Sequence, residues 1–109
     1  MKILLDENLP RKLKLGFSVD HELFSVGEMD WLGKRNGELL GLMTLHGFDA
    51  LITIDKNLRY QQNLDRFPIR LFVLDAANNR LDTLEPYVAK LSQIVDEEPP
   101  TKVVIIEVD

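Results

Sequence analysis

Five short apolar runs separated by polar or helical stretches are the feature that most restricts the fold of this chain. The runs occupy residues 2–5, 21–26, 50–54, 69–74 and 102–108. Apolar residues at helical spacing predict helices over 10–15, 36–46 and 81–95, and residues 56–64 suit a short helix or loop. Strands that alternate with helices pair in parallel, with helices on both faces of the sheet. The 109 residues therefore predict a single α/β domain over 1–109, a three-layer α/β/α sandwich around a mostly parallel sheet of about five strands.

Short polar residues and glycines indicate where the helices begin and end. Asn8, Asn36 and Asp82 have the side chains that cap helix N-termini, and each precedes or opens a helical stretch. Gly16 and Gly47 follow the first two helical stretches, a position that glycine commonly takes. We therefore predict N-caps at the three polar residues and helix ends at the two glycines.

The composition indicates where the protein works. The chain has no cysteine, which excludes disulfides and thiolate metal sites and fits a reducing compartment. Charges at Lys2 and Asp6 leave no room for the apolar region of a signal peptide. No apolar run approaches the roughly 18 residues of a membrane span. We expect a cytoplasmic protein without a membrane partner.

The charge distribution bears on nucleic-acid binding. The formal net charge of −5 is not that of a typical nucleic-acid-binding protein. The acidic excess is concentrated from Asp96 onward, where Lys102 is the single base, so that the rest of the chain is close to neutral. A metal ion bound among acidic residues would also invert the local charge. The charge weakens the case for an RNA-binding protein without excluding it.

Three predicted strands run directly into an aspartate, at Asp6, Asp55 and Asp75. Ligands of open parallel sheets bind outside the carboxyl ends of the strands, so these acids converge there if their strands are neighbours. Clustered carboxylates repel one another, and a hard cation with oxygen ligands relieves that repulsion. Because the chain lacks thiols and has two histidines, Mg²⁺ or Mn²⁺ is the expected ion.

The alternative interpretation is that aspartates after strands cap the following helix. For Asp6 and Asp55 taken together we favour the metal site. Asp75 precedes Ala-Ala-Asn-Asn, which is ordinary turn sequence, and we interpret it as a turn residue.

Three motifs carry a resemblance to a known family. LLDENLP at 4–10, NGELL at 36–40 and LITIDKNL at 51–58 together resemble the PIN-like domain family, in its compact type of unknown function related to the nucleases of bacterial toxin–antitoxin pairs. The resemblance covers about residues 2–75. It implies a Mg²⁺- or Mn²⁺-dependent endoribonuclease that hydrolyses RNA, with a small antitoxin protein as a further partner.

The resemblance also implies roles for individual residues. Asp6 and Asp55 match the acids of the first and third strands, and are the expected catalytic and metal-binding carboxylates. Asn36 stands where the family usually has an aspartate, and is the expected neutral metal ligand. Glu38 is the nearby carboxylate that would complete the catalytic set. Glu28 is a candidate for a helical glutamate of the longer members.

Residues next to these motifs are candidates for substrate contacts. Asn8 could bind metal or substrate, or cap a helix. Lys56 and Arg59 are expected near the phosphate, although Lys56 could instead pair with Asp55. The polar run 60–63 either contacts RNA or forms a solvated turn.

Two other classes of protein remain open. A receiver-type phosphoacceptor domain also has five parallel strands, with an acid pair that Asp6 and Glu7 would supply and an acceptor that Asp55 would supply. It needs a serine or threonine after strand four and a lysine after strand five, and both are missing. A catalytically lapsed PIN-like module that binds a partner protein is favoured by Asn36. The last strand could be an exposed edge that forms a homodimer.

Overall fold

A five-stranded, all-parallel sheet forms the centre of the computed structural model, which describes residues 1–17, 20–97 and 99–108. The strands are β1 (Lys2–Leu5), β2 (Glu22–Ser25), β3 (Ala50–Thr53), β4 (Arg70–Leu74) and β5 (Val103–Ile106). The α-helices are α1 (Asn36–Leu45), α2 (Leu58–Gln61) and α3 (Leu81–Asp96), and 3₁₀ turns span Arg11–Gly16 and Leu64–Arg66. The predicted α/β class and element order are confirmed, and the sheet is entirely rather than mostly parallel.

One hydrophobic core lies between the sheet and α3. Ile3, Ile52 and Phe72 point from β1, β3 and β4 toward Leu84 and Leu91 of α3. The 3₁₀ turn Arg11–Gly16 packs on the same side of the sheet. This face is apolar because alternate residues of each strand point to it.

A second core covers the opposite face. Leu4, Leu51 and Leu71, the neighbours of the residues that face α3, pack against Leu40 and Met43 of α1. Strands buried on both faces read as continuous apolar runs, which explains why KILL and ALIT lack polar alternation. The two cores make the protein a three-layer α/β/α sandwich.

The first helix is a 3₁₀ turn that lies very close to α3. A Cβ atom built on Gly16 would lie 2.3 Å from Cγ1 of Val88, so this position requires glycine for space. Gly47 follows α1 with φ of 75°, a left-handed conformation that glycine adopts without strain. The predicted helix ends at both glycines are confirmed.

The three predicted N-caps are wrong. Arg35 and Arg80 hold the extended cap positions of α1 and α3, so that Asn36 and Asp82 lie inside the first turns. Asp82 accepts a hydrogen bond from the amide of Thr83 there, where a negative charge also favours the helix dipole. Asn8 lies in the turn that closes between the carbonyl of Asp6 and the amide of Leu9, upstream of the 3₁₀ turn. In none of these three elements does the side chain of the cap residue form a capping hydrogen bond with a described residue.

The strand order β2-β1-β3-β4-β5 places a switch point between β1 and β3. The chain leaves β1 toward β2 on one side and returns to form β3 on the other side. In open parallel sheets, helices on opposite faces diverge at such a switch point, and ligands bind outside the carboxyl ends of the two strands. Asp6 follows β1 and Thr53 ends β3 at this edge. Within the described ranges, no helix is both long and apolar enough to cross a membrane.

Candidate functional site

Asp6 is a buried carboxylate at the switch point, with 9% of its surface exposed. Its backbone amide donates to the carbonyl of Ile52 at 3.0 Å, which fixes the residue as an extension of the β1–β3 ladder. Oδ1 accepts a hydrogen bond from the amide of Glu7 at 2.9 Å. Oδ2 accepts one from the hydroxyl of Thr53 at 2.7 Å. The carboxylate is therefore held in one orientation by the turn that follows β1 and by the last residue of β3.

Thr53 connects the two predicted acids. The residue is fully buried, and its Oγ1 donates to Asp6 while accepting the amide of Asp55 at 3.0 Å. Thr53 belongs to the LITIDKNL motif, but no role was predicted for it from the sequence. The sequence does carry a signal for this role, because Thr53 is a hydroxyl residue in an otherwise apolar strand, two residues before an acid. A buried hydroxyl needs a hydrogen-bond partner.

Burial raises the pKa of the Asp6 carboxyl above its ordinary value of 3.8. Hydrogen bonds from Thr53 and from the Glu7 amide favour the charged form and oppose this rise, while the negative charges of Glu7 and Asp55 add to it. The direction is the one expected for an acid placed near other acids with little water around it. A cation at this edge would reverse the balance, because it stabilises the ionised carboxylate.

Asp55 is half-buried beside this group. Its Oδ1 accepts the amide of Asn57 at 3.0 Å, a local turn that fixes the side chain after β3. Within the described part of the chain Oδ2 accepts no hydrogen bond, so one oxygen of Asp55 is available to a ligand. The structure thus brings together Asp6 and Asp55, the two residues that carry most of the sequence-based prediction.

Lys56 pairs with Asp75 rather than with Asp55. Its Nζ lies 2.8 Å from Oδ1 of Asp75, the acid that follows β4. Arg59, one turn further on, is exposed and its guanidinium contacts the side chain of Tyr60. Both predicted substrate-binding cations therefore lie at the carboxyl edge of the sheet, on the β4 side of the acid pair.

The start of α1 is less closely connected to the acid pair. Asn36 is half-buried and Glu38 is exposed, with Nζ of Lys34 3.8 Å from the Glu38 carboxylate. Among the residues that the structure describes, no group of three or more His, Asp or Glu side chains is arranged to hold a metal. Glu38 therefore does not form a three-carboxylate cluster with Asp6 and Asp55.

Glu28, the other candidate acid, serves the loop after β2. Its carboxylate accepts hydrogen bonds from Nζ of Lys14 and from the amide of Ser25, and its own amide donates a hydrogen bond to the Ser25 hydroxyl. The hydrogen bond from Lys14 is the main reason that the pKa of Glu28 lies below its ordinary value. These contacts occupy Glu28 locally.

Asn8 offers an oxygen donor in the turn that follows Asp6. Its backbone carbonyl accepts Nδ2 of Asn79 at 2.9 Å, which ties this turn to the segment before α3. Its side-chain Oδ1 is buried, and within the described ranges no hydrogen-bond donor reaches it. A buried oxygen in this condition is the kind of atom that binds water or a hard cation.

The available donors suit Mg²⁺ or Mn²⁺ better than a transition metal that prefers nitrogen or sulfur. Mg²⁺ typically keeps several waters and binds through one or two carboxylates. Asp6 and Asp55 supply two carboxylates, and the turn after Asp6 supplies the neutral side-chain oxygen of Asn8. Two carboxylates and a neutral oxygen are donor types that a partly hydrated Mg²⁺ takes.

Comparison with known proteins gives no further assignment. No protein-family model, no curated protein and no solved structure matches this chain.

Proposed function

We propose that this protein is a PIN-like, Mg²⁺- or Mn²⁺-dependent ribonuclease. The observation that carries the proposal is the buried carboxylate of Asp6 at the switch point of the sheet, linked through the Thr53 hydroxyl to Asp55. A buried, hydrogen-bonded acid of raised pKa beside a second acid is costly for a fold and typical of a site that binds a cation. The motifs LLDENLP, NGELL and LITIDKNL support the PIN-like assignment.

The roles of the residues follow from their positions. Asp6 and Asp55 would hold the ion, with Asn36 as a neutral ligand, and the bound metal would supply an activated water and neutralise charge on the phosphate. Thr53 positions Asp6 by donating to Oδ2. Glu38 is exposed at the start of α1, and it would reach the site only if its side chain adopted another conformation.

Cations beside the acids support a phosphodiester as the substrate. Lys56 and Arg59 line a groove at the carboxyl ends of β4 and β5, together with Asp75. Phosphate contacts from lysine and arginine provide most of the affinity of nucleic-acid-binding proteins. RNA is the proposed substrate and a small antitoxin protein the proposed partner.

The β5 strand is the proposed surface for a homodimer. Val103–Ile106 pairs with β4 on one side and lies at the end of the strand order. Ile105 is 37% exposed on this edge. A second copy could pair with it and continue the sheet, because an edge strand has unpaired backbone groups.

The test is Mn²⁺ titration by calorimetry, followed by an RNA cleavage assay in the same buffer. The wild type should bind Mn²⁺ and cleave RNA, and Asp6→Asn/Asp55→Asn should do neither, because the variant lacks both carboxylates. Asp65→Asn, an exposed acid in the 3₁₀ turn after α2, is the matched control and should match the wild type. A wild type that binds no Mn²⁺ at millimolar concentration would refute the metal site.

Metal binding without cleavage would support the lapsed PIN-like module instead. In that case the site would bind the cation through Asp6 and Asp55 but would lack a third acid, because Glu38 is exposed and Asn36 is neutral. Titration with a protein partner, rather than RNA, would then reveal the function.

The receiver-type phosphoacceptor is a second candidate because of one observation. The order β2-β1-β3-β4-β5 is the doubly wound order that receiver domains also have. Asp75 follows β4 where that class needs a hydroxyl. Incubation with acetyl phosphate and Mg²⁺ should leave the mass of the protein unchanged, and an increase of one phosphoryl group lost in Asp55→Asn would favour the phosphoacceptor.

A further inference from the structure

We propose that Tyr60 is a base-stacking subsite for single-stranded RNA beside the acid pair, an inference that rests on the proposed nuclease function. Tyr60 lies on α2 with 74% of its surface exposed. An exposed tyrosine of this kind is one of the few large apolar side chains that the described surface leaves uncovered. A base placed on its ring would bury apolar area on both partners.

Arg59 holds the Tyr60 ring in place. The guanidinium carbon of Arg59 lies 4.5 Å from the ring centroid, and its NH2 group donates to the tyrosine hydroxyl. This cation–π contact occupies one face of the ring and limits its rotation. Because most of Tyr60 is exposed, the opposite face is open to a base.

The charges around Tyr60 suit a phosphate next to that base. Within the described part of the chain, no salt bridge joins Arg59 to a carboxylate, so its charge is not neutralised by a partner. Lys56, in contrast, pairs with Asp75 at 2.8 Å. A phosphate would therefore meet Arg59 first, with Lys56 next along the same groove.

A groove next to Arg59 lies at the carboxyl ends of β4 and β5. It has a volume of about 250 Å³ and is lined by Lys56, Arg59, Val73, Asp75, Ile105 and Glu107. Of the residues that line the groove, Lys56 directly follows Asp55 along the chain and Arg59 directly precedes Tyr60. An RNA strand lying along the carboxyl edge of the sheet would place a phosphate at Arg59, and the base next to that phosphate would stack on Tyr60.

The expected ligand is single-stranded rather than duplex. Stacking on an exposed side chain needs a free base face, which pairing and stacking within a duplex conceal. Since every base has such a face, the subsite should accept RNA with little sequence preference.

Fluorescence anisotropy with a short labelled oligoadenylate tests the subsite. The measurements use Asp6→Asn/Asp55→Asn in EDTA, a background that cannot cut and has lost two charges that repel phosphate. Adding Tyr60→Leu should weaken binding about tenfold, the size expected for one lost base–aromatic stack. Tyr60→Phe should bind like the background, because it keeps the ring.

An abasic strand of the same length separates stacking from backbone contacts. Tyr60→Leu should leave its affinity unchanged, whereas Arg59→Gln should weaken the binding of both strands. Arg66→Gln, which removes the same charge from an exposed position in the 3₁₀ turn Leu64–Arg66, should weaken binding less than Arg59→Gln.

Three results would overturn the subsite. The first is that Tyr60→Leu binds oligoadenylate as tightly as the background protein. The second is that Tyr60→Leu weakens the binding of the abasic strand as much as that of oligoadenylate. The third is that the background protein does not bind oligoadenylate. Each is independent of the Mn²⁺ titration on the wild type, so the subsite can fail while the nuclease proposal stands.

Discussion

Thr53 shows how a single hydroxyl can determine the geometry of the whole site. It is completely buried, so it requires partners, and it finds them in the Asp6 carboxylate and the Asp55 amide. The hydrogen bond that Thr53 donates also favours the ionised form of Asp6, whose neutral form is favoured by burial. The site is therefore built by two strands rather than by a flexible loop.

The raised pKa of Asp6 makes the stability of the metal-free protein depend on pH. The folded state holds this proton more tightly than the unfolded chain, whose carboxyl has the ordinary value of 3.8. The Asp6 contribution to the free energy of unfolding therefore falls as the pH rises from about 3.8 through the raised value, and stays low above it. Asp6→Asn lacks this proton, so its stability relative to the wild type should improve as the pH rises through that window.

Urea denaturation in EDTA, at several pH values from 3.8 to neutral, measures this difference. Asp65→Asn removes an exposed carboxylate and is the control for general charge effects. If the difference in the free energy of unfolding between Asp6→Asn and the wild type does not change with pH, Asp6 does not contribute to the pH dependence of stability.

At the scale of elements, the 3₁₀ turn Arg11–Gly16 packs against α3 without room for a side chain at Gly16. Gly16→Ala would place a Cβ 2.3 Å from Cγ1 of Val88, which forces one element to move. We expect a loss of about 1–3 kcal/mol in the free energy of unfolding, the usual cost of overpacking. Chemical denaturation of the variant measures it.

Gly41→Ala is the matched control, because no atom lies within 4 Å of a Cβ at that position in α1. Alanine favours a helix over glycine, so this variant should be more stable by up to about 1 kcal/mol. In Gly16→Ala/Val88→Ala the clash disappears, and the double variant should lose less than the sum of the single changes. Strict additivity would contradict the packing explanation.

The strands and the starts of the helices could be predicted from the sequence, whereas the residues that cap the helices could not. Apolar runs such as KILL and ALIT are long enough to identify strands buried on both faces, and the structure has them within one or two residues. The cap position depends on the backbone conformation of a single residue, which a sequence pattern does not determine. Asn36 and Asp82 have capping side chains, but Arg35 and Arg80 hold the cap positions and both polar residues lie inside the helices.

The site was predictable only in part for a related reason. Asp6 and Asp55 both follow strands, but whether they meet depends on the order of strands in the sheet, which local patterns do not determine. The same order brings Lys56 to Asp75 across β3 and β4, a pair that sequence reasoning did not foresee.

At the scale of the whole molecule, the proposed ion should connect the site to global stability. An ion that binds the folded protein and not the unfolded chain stabilises it by mass action, by about 2.7 kcal/mol at a concentration one hundred times its Kd. Since the ion must displace the extra proton of Asp6, this stabilisation should grow as the pH rises through the raised pKa of that carboxyl and level off above it.

Thermal unfolding with and without Mn²⁺, at a mildly acidic and at a neutral pH, measures this effect. The wild type should gain melting temperature with Mn²⁺, and gain more at neutral pH. Asp6→Asn should gain little at either pH, because it lacks the carboxylate that the proton and the ion share. An equal gain in the wild type and in Asp6→Asn would place the ion elsewhere on the acidic surface and remove Asp6 from the site.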